Sequence, residues 1–120
     1  MAKCIGIDLG TTFSLVSAVI DGEATILKKN VDGRIPSALF VPEVYTATEG
    51  APYLVGQAAL TQARIEPGTL LLSTKRVIGK GLEGAKRLLA AGNRKMELVE
   101  DDPRLAKFRI SDGQGGVDSV

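Results

Sequence analysis

Bulky residues alternate with small or polar ones over 4–9 (Cys4-Ile-Gly-Ile-Asp-Leu9), the period of a strand, whose successive side chains point to opposite faces. Gly10-Thr11-Thr12 interrupts the alternation as a turn, and the Val- and Leu-rich run 14–20 predicts a second strand. Asp21-Gly22 is a two-residue hairpin signal, with a third strand predicted near 24–28. The opening of the chain therefore reads as a three-stranded antiparallel meander with the Gly-Thr-Thr turn at its first bend. Residues 30–36 follow as a loop and 37–41 as a further short strand.

Between 42 and 53 the pattern weakens into an irregular or hairpin excursion. Good helix formers over 57–65 predict a helix, which Glu66-Pro67-Gly68 ends. Residues 69–74 are expected to add one more helical turn ahead of Lys75-Arg-Val-Ile-Gly-Lys80. The clearest helix is 82–91, with Leu82, Ala85, Leu88 and Leu89 on one face. Glu83 stands one turn before Arg87 for an ion pair, and Gly92 falls where a C-terminal cap belongs. Runs 95–99 and 106–111, with the loop 112–116, predict a hairpin, and no closing element follows before Val120.

Composition narrows the chemistry more than the fold. The 120 residues, 44% apolar and 24% charged, suit one globular domain with a core. A net charge of +1 argues against a protein whose main business is neutralising nucleic-acid phosphates. There is no histidine, which removes Ser-His-Asp and Cys-His catalysis, Cys/His zinc sites and imidazole switching together. Cys4 is the sole cysteine, expected to be a buried, inert thiol in a reducing compartment. No signal-peptide pattern and no apolar run of membrane-spanning length is present, so a soluble cytoplasmic protein without a membrane partner is the default. Charge is uneven: residues 1–60 carry four basic and six acidic side chains, residues 61–120 eleven and eight. Between 75 and 95, seven cations face only Glu83, which reads as a solvated helix face with its flanking loops. Glu100-Asp101-Asp102 reads as a solvated turn rather than a metal site.

The Gly-Thr-Thr turn is the candidate site. Phosphates are held where backbone N–H groups converge and hydroxyls assist, and Gly10, Thr11 and Thr12 supply a close approach and two hydroxyls. Asp8 beside such a cradle would repel a phosphate unless a cation intervened, and hydrated Mg2+ binds through few carboxylates. The turn is not a P-loop, because no Gly-Lys-Ser/Thr follows at the required spacing. On chemistry alone, a strand-turn-strand with Asp, Gly and two Thr is more often an ordinary hairpin than a phosphate site.

A resemblance sharpens the reading. Ile5-Gly-Ile-Asp-Leu-Gly-Thr-Thr-Phe-Ser14 resembles the first phosphate loop of the actin, sugar-kinase and heat-shock ATPase superfamily. Gly33-Arg-Ile-Pro-Ser-Ala-Leu-Phe-Val41, and Leu54-Val-Gly-Gln-Ala-Ala59 followed by Pro67 and Ser73-Thr-Lys-Arg-Val-Ile-Gly-Lys80, resemble the seventy-kilodalton, DnaK-type heat-shock chaperones. The clear match runs from residue 3 to about 80. The loop 30–36 is about two residues shorter than the family's common form, and beyond Gly81 the match thins.

The resemblance implies an α+β (α/β) chain of the ribonuclease-H-like actin-ATPase fold. Residues 1–41 would form a first-lobe segment, 42–112 a small inserted subdomain, and 113–120 the start of the return. It implies ATP or ADP with Mg2+ as cofactors. Asp8 would act through Mg-bound water, Gly10, Thr11, Thr12 and Phe13 would lie at the nucleotide, and Lys75 would reach the γ-phosphate and orient the attacking water. Arg34 and Pro36 would fix a loop, and Arg76 would face another domain or solvent. The implied parent is an ATP-hydrolysing chaperone of the stress response that binds and releases unfolded polypeptides. Its partners would be those clients, a J-domain co-chaperone and a nucleotide-exchange factor. The second phosphate loop and the adenosine-binding segment lie downstream in this family, so the segment alone is expected to be inactive. A sugar-kinase N-terminal segment and a non-enzymatic stand-alone binding module remain the alternatives.

Overall fold

β1 (Ile5–Leu9) and β2 (Phe13–Ile20) pair antiparallel, Ile5 opposite Ala18 and Leu9 opposite Ser14. They belong to a computed structural model that describes residues 4–27, 32–43, 53–91, 96–111 and 117–119. β3 (Glu23–Ile26) lies on the other edge of β2, joined through Asp21 and Gly22, whose φ values of 52° and 85° are those a tight primed hairpin turn requires. The expected meander is therefore present. β4 (Ile35–Pro36) adds to it by pairing with Phe13 and Ser14, so the expected loop 30–36 ends as a short strand.

A second sheet begins one residue later. β5 (Ala38–Pro42) lies at its centre between β6 (Leu54–Val55) and β7 (Gly68–Leu72), both antiparallel. β7 corrects the helical turn expected over 69–74. The leucine run has no periodicity to decide helix from strand, and the open edge of β5 decides it, with ladder pairs from Ala38–Leu72 to Pro42–Gly68. Leu71 is 2% exposed, and a Cβ on Gly68 would lie 2.5 Å from the Phe40 ring, so the strand seats only with glycine there. Helical geometry begins at Thr74–Arg76, as a single 3-10 turn. α1 (Gln57–Gln62) covers this sheet through Ala59, which packs with Ala38 and Phe40, and it stops three residues short of the expected end.

α2 (Leu82–Ala91) has the expected bounds. Its buried face is Leu82, Ala85 and Leu89, while Leu88 is 41% exposed, so the apolar stripe is narrower than the sequence suggested. Ala85 and Leu89 join Leu71, Val77 and Phe108 in the larger core cluster. The expected pair of Glu83 with Arg87 is replaced: Lys86 Nζ lies 3.6 Å from Glu83 and 2.8 Å from Glu100, the second acidic partner being supplied by the chain just after Val99. β9 (Lys107–Ser111) pairs antiparallel with β8 (Leu98–Val99) on one side and β10 (Val117–Ser119) on the other, which extends the expected hairpin to three strands. Gly92, most of the 42–53 excursion and the loop 112–116 lie outside the described residues.

The meander carries apolar residues on both faces, and among the described residues nothing buries either of them fully. Ile5, Ile7 and Leu9 alternate onto one face at 65%, 64% and 53% exposure, and Val19 and Ile26 are exposed on the other. Cys4, expected to be buried, is exposed for the same reason. Among the described residues no helix is long and apolar enough to cross a membrane.

Candidate functional site

Gly10-Thr11-Thr12 connects β1 to β2 and closes tightly: a Cβ on Gly10 would sit 2.0 Å from the Phe13 carbonyl oxygen, so no other residue fits. Thr12 is exposed and Thr11 half-buried, and neither hydroxyl makes a hydrogen bond among the described residues. Both donors are therefore available to a ligand. Asp8, one residue before Leu9 at the strand end, is exposed, and its carboxylate likewise has no hydrogen bond or ion pair among the described residues.

Ser37 locks this turn in place, and sequence reasoning gave it no role. Its Oγ donates to the Gly10 carbonyl at 2.8 Å, and its N–H donates to the Thr12 carbonyl at 2.8 Å. Because that hydroxyl proton is committed to Gly10, the Ser14 hydroxyl donates to Ser37 Oγ across 3.0 Å. The Ser37 carbonyl in turn accepts from the Ser73 N–H at 3.2 Å. One residue thus ties the turn, β2 and the β7 end together at the junction of the two sheets. The signal available was the Pro36-Ser37 pair between two strand patterns, where a small hydroxyl residue can bond to neighbouring backbone.

Ser73 holds a left-handed conformation (φ 54°, ψ 36°), rare for a residue with a Cβ, and turns the chain into the short helix that carries Lys75. Lys75 Nζ donates to the Leu9 carbonyl, the last of β1 before the turn. A cation 66 residues away in sequence thereby stands at the mouth of the Gly-Thr-Thr turn.

The other sequence candidates divide. Phe13 opens β2 and lies 5.7 Å beneath the Arg34 guanidinium, a cation–π contact, while Arg34 Nε lies 3.6 Å from Asp32. Pro36 pairs with Phe13 in β4. Arg34 and Pro36 therefore fix the loop against the strand that follows the turn. Arg76 is exposed beside Lys75. The acidic stretch is spent on ion pairs: Glu100 on Lys86, Asp101 on Lys107 at 2.6 Å, Asp102 on Arg104 at 3.0 Å. The Lys107 hydrogen bond holds the Asp101 carboxyl below its ordinary range, and the Arg104 side chain does the same for Asp102. The Glu100 hydrogen bond raises Lys86.

This donor set fits a nucleotide phosphate with Mg2+. Two unspent hydroxyls and one lysine suit phosphate oxygens, and a single unspent carboxylate suits a cation that keeps most of its waters. Among the described residues no group of three or more carboxylates or thiols could hold a metal by itself, so the phosphates would have to share in binding it.

The family model described as Hsp70 protein matches residues 4–113. The chaperone protein dnaK of Cyanidioschyzon merolae is 33% identical over 118 residues, covering 98% of this chain, and that of Deinococcus deserti is 33% identical over 116 residues, covering 97%. The stromal 70 kDa heat shock-related protein, chloroplastic, of Pisum sativum is 35% identical over 116 residues, covering 96%. The chain spans only 16%, 15% and 14% of the lengths of these relatives.

Proposed function

The chain belongs to the Hsp70 family, and from that premise we propose that it forms the phosphate-holding first part of the nucleotide-binding domain of an ATP-dependent chaperone. The observation that carries the reading is the Lys75 ammonium on the Leu9 carbonyl, which joins a sequence-distant cation to a turn whose hydroxyls are unspent. The family match over 4–113 favours the chaperone over a sugar kinase.

In this proposal Gly10, Thr11 and Thr12 cradle the terminal phosphates, with Phe13 anchoring the turn under Arg34. Lys75 leaves the Leu9 carbonyl for a phosphate oxygen and stabilises the charge that grows there in phosphoryl transfer, where positioning and electrostatics do most of the catalysis. Asp8 orders Mg-bound water, and Mg2+ when bound neutralises phosphate charge. Catalysis needs donors on both sides of the phosphates, and this chain supplies one side, so it hydrolyses no ATP alone. Residues 1–41, 42–112 and 113–120 are the first-lobe segment, the inserted subdomain and the return of an actin-ATPase fold; the change of sheet at Ser37 supports a division between the first two, nearer 37 than 41. The parent would be cytoplasmic and would use ATP turnover to bind and release unfolded polypeptides, served by a J-domain co-chaperone and a nucleotide-exchange factor.

The test is a hybrid in which this chain replaces the matching segment of the Deinococcus deserti relative. Calorimetric titration should show Mg-ADP binding by the hybrid and at least about tenfold weaker binding by its Asp8→Asn variant, the scale of one lost charge-assisted contact. Equal affinity in the two would remove Asp8 from the site.

A further inference from the structure

A cavity of about 420 Å³ lies between the turn after Lys75 and the loop ahead of β9, and none of Asp8, Gly10, Thr11, Thr12 or Lys75 lines it. Its walls are apolar. Leu71, Val77 and Phe108 are buried core residues, and Ile78 and Leu105, which also line it, are exposed. Two cations and no carboxylate line it. Arg104 is already neutralised by Asp102, which accepts from its Nε at 3.1 Å and from its Nη2 at 3.0 Å. Lys80 has no ion pair among the described residues. Its stem lies along α2 at Gly84, where a Cβ would be 3.4 Å from the lysine Cβ, an ordinary contact.

A mostly apolar cavity of a few hundred cubic ångströms with one or two placed polar groups is the usual form of a small-molecule site. The apolar walls supply affinity without choosing a headgroup, and the single uncompensated charge chooses it. We propose that this cavity binds an aliphatic carboxylate, its hydrocarbon chain against Leu71, Val77 and Phe108 and its carboxylate at Lys80. A cationic headgroup would meet Lys80 unfavourably, and a neutral one would gain only the apolar contacts.

Titration of the isotope-labelled 120-residue chain with decanoate, decanol and decylamine, followed by amide chemical shifts, tests this. Decanoate should shift the amides of 77–80 and 104–108 saturably and bind about tenfold more tightly than decanol, as one charge-assisted hydrogen bond provides. Decylamine should bind most weakly. Lys80→Gln keeps most of the stem and removes the charge, so it should bring decanoate to the affinity of decanol and leave decanol unchanged. Leu105→Asp, at an exposed position where the fold is not at stake, should weaken decanoate by a similar factor and strengthen decylamine. Equal affinity for the three headgroups, shifts confined to the exposed apolar faces of β1–β3, no binding at all, or an unaltered Lys80→Gln would each overturn the proposal.

Discussion

Replacing Ser37 with alanine removes one oxygen and two side-chain hydrogen bonds, the 2.8 Å bond to the Gly10 carbonyl and the 3.0 Å bond with Ser14, while both backbone bonds of residue 37 stay. Each side-chain bond is partly buried, and such bonds contribute about 0.5–1.5 kcal/mol net. Ser37→Ala should therefore cost about 1–2 kcal/mol, with solvent recovering part of the larger sum at this half-exposed junction. Urea unfolding followed by far-ultraviolet circular dichroism reads this as a lower midpoint at unchanged m value. The cycle with Ser14→Ala separates coupling from general loss: the double variant should be less destabilised than the two singles added, by at least about 0.5 kcal/mol. Ser17→Ala is the control, since Ser17 Oγ reaches Gly6 O only at 3.5 Å, and should stay within about 0.5 kcal/mol. A Ser37→Ala variant as stable as Ser17→Ala, or strict additivity with Ser14→Ala, would refute the reasoning that Ser37 locks the turn.

Other expectations follow from the same structure. Ser73→Gly should stabilise the chain by about 1 kcal/mol by relieving the left-handed backbone, seen as a raised urea midpoint. Asp101 and Asp102 are depressed in the folded state, so their contribution is present above the ordinary carboxylate range and is lost as pH falls through and below about 4. Lys86 is raised, so its contribution is full below the ordinary lysine range and fades above about 10.4, and added salt should flatten both limbs of the stability profile. Because Ile7 is 64% exposed, Ile7→Thr should leave the chain's stability within about 0.5 kcal/mol while reducing its binding of a hydrophobic dye such as ANS; an unchanged dye signal would place the binding elsewhere.

Local patterns were legible where one residue or one period decides the outcome. The two-residue Asp21-Gly22 turn and the alternation of 4–9 specified the meander, and α2 appears with its expected bounds because Leu82, Ala85 and Leu89 recur at helical spacing. Leu70-Leu71-Leu72 has no such period, and only the unpaired edge of β5, contributed by residues 30 to 34 positions away, makes it a strand. Cys4 was misread for a different reason. Its apolar neighbours form a strand, but nothing in the described chain covers that sheet. At the site, Asp8 and Gly10-Thr11-Thr12 were visible as residue types, whereas the reach of Lys75 to Leu9 and the bridging by Ser37 depend on tertiary geometry that spacing cannot encode.

The most direct measurement is single-turnover ATP hydrolysis by the Deinococcus deserti hybrid, wild type beside Lys75→Ala, with nucleotide affinity measured on both. The hybrid should hydrolyse ATP, and Lys75→Ala should lower the rate about 10²–10³-fold at nearly unchanged affinity, the scale of one preorganised charge donor lost from a phosphoryl-transfer site. Undiminished turnover in Lys75→Ala, or a hybrid that binds no nucleotide, would contradict the proposed function.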